Sequence, residues 1–146
     1  MDQEQAEDDI YAMFFAAWTS GAFAVVGYVP EVRWPRVKNP DPRPIDKAWA
    51  NVSIAFGRSD LSIGENTPGN RLATRMGILT VQIYTPQIIQ GSTAAGRLAK
   101  LTRRAYEGQH SPNGVWFRNV QVTDRGGEAP WDETRVLSEF EFSEEV

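Results

Sequence analysis

Cysteine is absent from this 146-residue chain, and histidine occurs once, as His110. The first absence removes disulfides, thiolate zinc sites, iron-sulfur clusters and cysteine nucleophiles together, so packing alone must hold the fold. The second removes most histidine-based chemistry. His110 sits in GQHSPNG, a predicted loop, and Ser111 beside it reads as an ordinary turn residue. Common metal sites need several His, Cys or clustered carboxylates, and no such spacing occurs. Neither a GxxxxGK[ST] phosphate loop nor a GxGxxG after a strand is present, and no spacing of acids singles out a hydrolase pair. The reading is a non-enzymatic protein without cofactor or metal. No run approaches the ~18 to 20 apolar residues of a membrane span, and the N-terminus is acidic where a signal peptide is basic. A soluble, unprocessed chain with no membrane partner is expected, and the lack of cysteine suits a reducing cytoplasm.

What is present is an ordinary globular composition. Residues are 41% hydrophobic and 23% charged, with five Trp, seven Phe and four Tyr. That balance lies far from disordered chains. A single domain spanning 1–146 can bury roughly 68 to 70% of its unfolded surface without metal or disulfide. The net charge of −4 is unevenly spread. Residues 1–9 carry five acids and no base, and 128–146 carry seven acids against Arg135 alone. Between them, residues 10–127 hold fourteen Lys and Arg against seven acids. Acidic ends around a basic middle favour contact between copies or with an acidic partner, or else simply solvate the termini.

Hydrophobic periodicity places the elements. In EQAEDDIYAMFFAAWTSG the residues Ala6, Ile10, Met13, Phe14, Ala17 and Trp18 recur at helical spacing, with acids in the first turns where the helix dipole favours them. A helix over 3–19 follows, stopped at Gly21. The apolar run 22–29 is too short for periodicity to assign. Residues 31–37 alternate as a short strand interrupted at Pro35, and prolines 40, 42 and 44 make about 35–45 an exposed loop or arm. Strands are predicted at 49–58, with Val52, Ile54 and Phe56 on one face, and at 71–86. In the latter Gly77, Leu79, Val81 and Ile83 share one face, and Met76, Ile78, Thr80, Gln82 and Tyr84 share the other. The cluster 64–70 between them reads as a turn.

A second helix, 92–107, has Ser92 as N-cap, a buried stripe of Ala95, Leu98, Ala99, Thr102, Ala105 and Tyr106, and Gly108 at its end. Its opposite face carries Arg97, Lys100, Arg103 and Arg104. Two further strands, 115–127 and 134–142, close the chain, the second with Val136, Phe140 and Phe142 inward. Trp116 and Phe117 must point to opposite faces of their strand. The order α, β, β, β, α, β, β implies an α+β fold, a mostly antiparallel four- to five-stranded sheet with two amphipathic helices on one face.

The basic stripe of Arg97, Lys100 and Arg104 admits two readings. As a nucleic-acid-binding module it would neutralise phosphates while aromatics such as Trp116 or Phe117 stack bases. As a solvated or protein-contacting helix face it needs neither. The acidic chain, with a pI near 5.0, and the lack of a recognition motif favour the second.

From about residue 48 onward the sequence resembles the tail-terminator (tail-completion) proteins of long-tailed bacteriophages. Arg75, Gly77, Leu79, Val81, Ile83 and Pro86 match a strand of the form R-x-G-x-L-x-V-x-I ending in proline. Gly91, Leu98 and Ala99 match the Ala/Leu-rich helix after it, and Trp116, Phe117, Trp131 and Phe140 the two closing strands. The Pro-rich insertion is longer than the family pattern. The resemblance implies a homohexameric ring in the virion, at the head-proximal end of the tail, assembled in the host cytoplasm. Such a ring ends tube polymerisation, touches the tail tube protein and a head-tail connector or neck protein, and meets DNA only as it passes through the lumen. Within a ring of that kind, the subunit or tube interface is expected at Arg97, Lys100 and Arg104, at Arg58, Asp60 and Arg71 around a loop spanning 59–70, and at Arg36 and Lys38 of the Pro-rich arm.

Overall fold

The computed structural model describes residues 1–35, 47–63, 71–87, 91–126 and 131–145. Two helices and five strands follow the expected order: α1 (Gln3–Val26), β1 (Glu31–Arg33), β2 (Trp49–Ile63), β3 (Arg71–Pro86), α2 (Gly91–Tyr106), β4 (Trp116–Gly126) and β5 (Trp131–Glu145). The fold is α+β. The strands form one sheet in the order β1-β2-β3-β5-β4.

That sheet is mixed, which corrects any purely antiparallel reading. β1 lies parallel to β2, Glu31 opposite Trp49 and Arg33 opposite Asn51, while every other pair is antiparallel. A parallel pair cannot be joined by a tight hairpin and needs a long connection. Here the stretch containing the prolines supplies that length.

β2 runs to Ile63, five residues beyond its predicted end at 58, because a register shift between Phe56 and Ser59 lets pairing resume. Asp60 then faces Thr74, and Ile63 faces Arg71. Residues 59–63 are therefore strand rather than loop. β5 is likewise longer than predicted, pairing with β3 from Trp131 opposite Pro86 to Glu145 opposite Leu72.

α1 begins at a capping box: the Asp2 side chain accepts from Gln5 N at 2.8 Å, and the Gln5 side chain accepts from Asp2 N at 3.0 Å. It does not stop at Gly21. The helix continues to Val26 and ends at Gly27, whose φ of 81° is the left-handed conformation that glycine adopts without strain. Gly21 serves a different need: a Cβ there would lie 2.4 Å from Leu101 Cδ1, so α1 and α2 meet at this point because no side chain separates them. α2 starts at Gly91, which puts Ser92 inside its first turn rather than at the cap. Its end is as expected, with Gly108 at φ 69° and Glu107 N donating to Arg103 O at 2.8 Å.

Both helices cover the same face of the sheet. Ile10, Phe14 and Trp18 of α1 join Leu98, Ala99 and Tyr106 of α2 over Val52, Leu79, Val81, Val136 and Phe140. Phe14 stacks on Trp18 with ring centroids 5.1 Å apart, and the buried indole N–H of Trp18 donates to Pro30 O at 3.0 Å. Full burial of each such side chain contributes about 1.5 to 3 kcal/mol. The Tyr106 hydroxyl, inside the core, donates to Ile10 O at 2.9 Å and ties the helices together. Burial holds that phenol protonated far above its ordinary range, the nearby Tyr11 adding to the effect.

Gly77, one of the motif residues, has a packing reason. A Cβ there would sit 2.5 Å from Phe140 Cζ and 2.6 Å from Ala55 O, so the Phe140 ring occupies the space a side chain would need. The Phe56 ring packs edge-on to Phe140 at 5.6 Å.

α1 also corrects the expectation about membrane-length segments. By length and composition it could cross a bilayer, with a mean hydropathy of 1.4. Residues 10–30 contain no charged side chain at all. Yet Ile10, Phe14, Trp18 and Ala22 on its inner face are built into the sheet core.

Candidate assembly surfaces

The predicted site residues fall into three groups. Arg97, Lys100 and Arg104, spaced i, i+3 and i+7, form one exposed ridge on α2, directly opposite the buried stripe of Leu98, Thr102 and Tyr106. Arg103 beside them pairs with Glu107 at 3.3 Å, while no carboxylate among the described residues lies within ion-pair distance of the three. They are solvated cations available to a partner. Arg58 and Asp60 lie toward the end of β2 and Arg71 at the start of β3, on the backbone of the β2–β3 hairpin. α2 begins after the other end of β3, about 50 Å of strand away, so the hairpin and the start of α2 are separate surfaces. Arg36 and Lys38 lie outside the described residues.

Opposite the helices, the second face of the sheet carries no covering element among the described residues. Its polar side chains pair with one another across strands. Asn51 Nδ2 donates to Gln82 Oε1 at 3.1 Å, Gln82 Nε2 to Glu133 Oε1 at 3.0 Å, and Arg135 Nε to the same carboxylate at 2.5 Å. Arg118 pairs with Glu141 at 2.7 Å, and Asn119 donates to Glu139. Asn119 has φ 53° in a bulge of β4 that turns its amide toward β5. Between these pairs lies a surface depression of about 450 Å³, bounded by Ala55, Met76, Ile78, Arg118, Asn119 and Glu139. Ile78 is 46% exposed there.

Trp116 and Phe117 divide as the strand alternation requires. Phe117 is buried against Tyr106 at 4.8 Å, whereas Trp116 is 57% exposed and tilts over His110 at 4.7 Å. The His110 Nδ1–H can donate to Ser111 O at 3.0 Å. Ser111 itself is buried, its hydroxyl accepting from Val115 N at 2.8 Å, which makes it the organiser of the turn before β4.

Two features lie outside the sequence-based expectations, a buried aromatic cluster and an exposed helix face. At the end of the sheet near β1, Trp49 stacks on Tyr84 at 4.1 Å, Trp131 meets it edge-on at 6.3 Å, and the Arg33 guanidinium lies 5.5 Å from its ring centroid. The parallel β1 strand carries Arg33 there, and its pairing was not legible. The other is the outer face of α1. Ala12, Ala16, Thr19 and Phe23 form an uncharged stripe at i, i+4, i+7 and i+11, flanked by Phe15, with Phe15 54% and Phe23 60% exposed. The signal in the sequence is the charge-free run 10–30, long enough for a second uncharged face beside the core-facing one. Among the described residues, no group of three His, Cys, Asp or Glu could hold a metal.

Comparison with known proteins yields likeness of fold alone. The sequence matches no family model and no curated protein. One solved structure, identified only by a sequence code, superposes with a TM-score of 0.63 at 16% identity, over 92% of this chain and 94% of that one. A chain of the virion of a native gene transfer agent particle superposes with a TM-score of 0.56 at 17% identity, over 94% of this chain and 93% of the other.

Proposed function

We propose that this protein is a structural component of a phage-like virion, a tail terminator that closes the tail tube as a homohexameric ring. The observation that carries the reading is the fold shared over 94% of the chain with a subunit of the gene transfer agent virion. The residues of the tail-terminator pattern agree with it in kind: Gly77, Leu79, Val81 and Ile83 shape the central strand, and Leu98 and Ala99 seat α2 on it. A rotational ring is built from heterologous contacts, one patch meeting a different patch on the next copy. The chain offers unlike patches: an uncharged helix face, a basic ridge and an open sheet face of cross-strand polar pairs. In this role the ring sits at the head-proximal end of the tail, stops tube growth, and offers a docking surface to the neck, with DNA passing through its lumen.

The test is capping. Purified protein added to growing tail tubes is expected to arrest elongation and to appear in negative stain as a ring at one tube end. Tubes that lengthen unchecked and carry no cap contradict the proposal.

The exposed cations Arg97, Lys100 and Arg104, with no carboxylate within ion-pair distance among the described residues, favour one rival, a nucleic-acid-binding module. Phosphate binding must weaken steeply as salt rises. Titration with duplex DNA at 50 and 200 mM salt, as about the usual range for such a test, is expected to show no tight salt-sensitive complex. Binding that falls by orders of magnitude across that range supports the rival instead.

A further inference from the structure

We infer that Asn113 is a site of spontaneous deamidation, and that its conversion to aspartate or isoaspartate releases α1 from the loop before β4. The inference is independent of the ring reading and holds whether or not the chain assembles.

The loop itself imposes the labile pair. Ser111 N donates to Val115 O at 2.8 Å and Gly114 N to Ser111 O at 3.1 Å, so residues 111–114 form a tight turn with Pro112 and Asn113 at its centre. Proline presets the first central position of such a turn, and asparagine is a common turn residue. Gly114 then has φ 101°, a conformation that residues with a Cβ rarely adopt. An Asn-Gly dipeptide is thereby held at the tip of a turn, with Asn113 exposed.

Asparagine is a thermolabile residue, and before glycine it is least protected. The backbone nitrogen of the next residue attacks the side-chain Cγ, and glycine has no Cβ to shield that nitrogen. A new N–C bond closes a cyclic succinimide while the Cγ–Nδ2 bond breaks and ammonia leaves. Water then opens the ring at either carbonyl. One product is aspartate, and the other is isoaspartate, in which the chain runs through the side-chain carbon. Every other asparagine precedes proline, which has no N–H, or a residue whose side chain crowds the nucleophile.

The partner of Asn113 makes the conversion consequential. Asn113 Nδ2 donates to Asp9 Oδ1 at 2.9 Å and so clasps the loop to α1. An ionised carboxylate only accepts, so the donor has to be the amide nitrogen, which is the atom that deamidation removes. Asp9 Oδ2 is buried and accepts no bond from the described residues. Conversion therefore replaces the donor with a second carboxylate facing the first, and like charges at contact repel. They do so beside residues 1–9, which already carry five acids.

The same bonds set the pace. Ring closure requires the Gly114 N–H to leave Ser111 O and lose its proton, and the Asn113 amide to leave Asp9. Conversion thus proceeds through local opening of the loop, and the folded clasp protects the residue whose loss undoes it.

The experiment ages the full chain in mildly alkaline buffer at physiological temperature and follows tryptic peptides by mass. Peptide 105–118 contains Asn113 as its only asparagine. It is expected to gain the mass of an amide-to-acid exchange, and to accept a methyl group from an isoaspartyl methyltransferase, before any other asparagine peptide converts. Asp9→Ala, shown to be folded by circular dichroism, is expected to convert about two- to tenfold faster, the factor that one hydrogen bond is worth. Asn113→Asp, made directly, is expected to melt about 2 to 4 °C below wild type. Adding Asp9→Asn to it returns one amide and one carboxylate to the clasp and is expected to recover most of that loss.

Peptide 105–118 left unchanged while another asparagine converts would overturn the site. Asn113→Asp that melts with wild type would overturn the release of α1. If the swapped pair recovers nothing, or Asp9→Ala converts no faster than wild type, the bond to Asp9 is not what holds the loop, and the clasp is overturned.

Discussion

The two helices lie side by side over one face of the sheet and touch where Gly21 admits Leu101, yet they treat their outer surfaces in opposite ways. α2 is conventionally amphipathic: Leu98, Thr102 and Tyr106 inward, Arg97, Lys100 and Arg104 outward. α1 buries Ile10, Phe14 and Trp18 and then exposes Phe15 and Phe23 on its other side. The difference teaches that residue type does not separate fold from function on α1. Phe14 and Phe15 are adjacent phenylalanines, one in the core and one 54% exposed, and only their direction assigns them different work. On α2 the outward charges alone keep the helix soluble, so its surface could be replaced without touching the fold.

Substitutions can break this contrast or sharpen it. The largest effect is expected from Trp18→Ala, which leaves a cavity in the core and a Pro30 carbonyl without its donor; chemical denaturation should show a loss of about 3 to 5 kcal/mol. A smaller loss from Trp18→Ala than from Phe23→Ala would reverse the assignment of the two faces of α1. Next comes Gly21→Val. The new side chain starts 2.4 Å from Leu101 Cδ1, so the helices must part, and although valine is the better helix former, overpacking is expected to cost about 1 to 3 kcal/mol. A gain in stability would mean that the helices touch elsewhere.

Tyr106→Phe keeps the ring and removes the hydroxyl that reaches Ile10 O, so a loss of about 0.5 to 1.5 kcal/mol is expected from thermal melts. Smallest in stability is the double reversal Arg97→Glu with Arg104→Glu, expected within about 0.5 kcal/mol of wild type because both side chains are solvated. The same pair is expected to impair assembly in light scattering. Normal assembly by that double variant would remove the basic ridge from the interface and leave α1 as the only helix that makes contact.

Much of the architecture is legible in the sequence, and for a physical reason. The alternation of Gly77, Leu79, Val81 and Ile83 against Met76, Ile78 and Thr80 is the period of a half-covered strand, and the stripe of α2 is the period of a half-covered helix. Both patterns arise because one side meets core and the other does not. Where both sides are apolar, the pattern vanishes. Periodicity assigns nothing to residues 22–26 and marks Gly21 as a stop, although the helix runs on to Val26 and Gly21 is a packing contact. Long-range pairing was equally hidden. That β1 runs parallel beside Trp49 to Asn51 depends on a return path through the proline-rich stretch, and Arg33 reaches the Trp49 ring only through that pairing.

The candidate surfaces divide along the same line. Arg97, Lys100 and Arg104 could be found because charge at i, i+3 and i+7 is visible in a sequence. The depression over Ala55, Met76 and Ile78 joins four strands that are distant in the chain, and only the register brings them together.

Oligomeric mass in solution, measured with and without tail tubes, tests the central claim most directly. Six times the 16.3 kDa chain mass, either free or recovered from capped tube ends, is the expected result. A single 16.3 kDa species under both conditions, leaving the tubes bare, would contradict the proposal that this protein works by fitting against copies of itself.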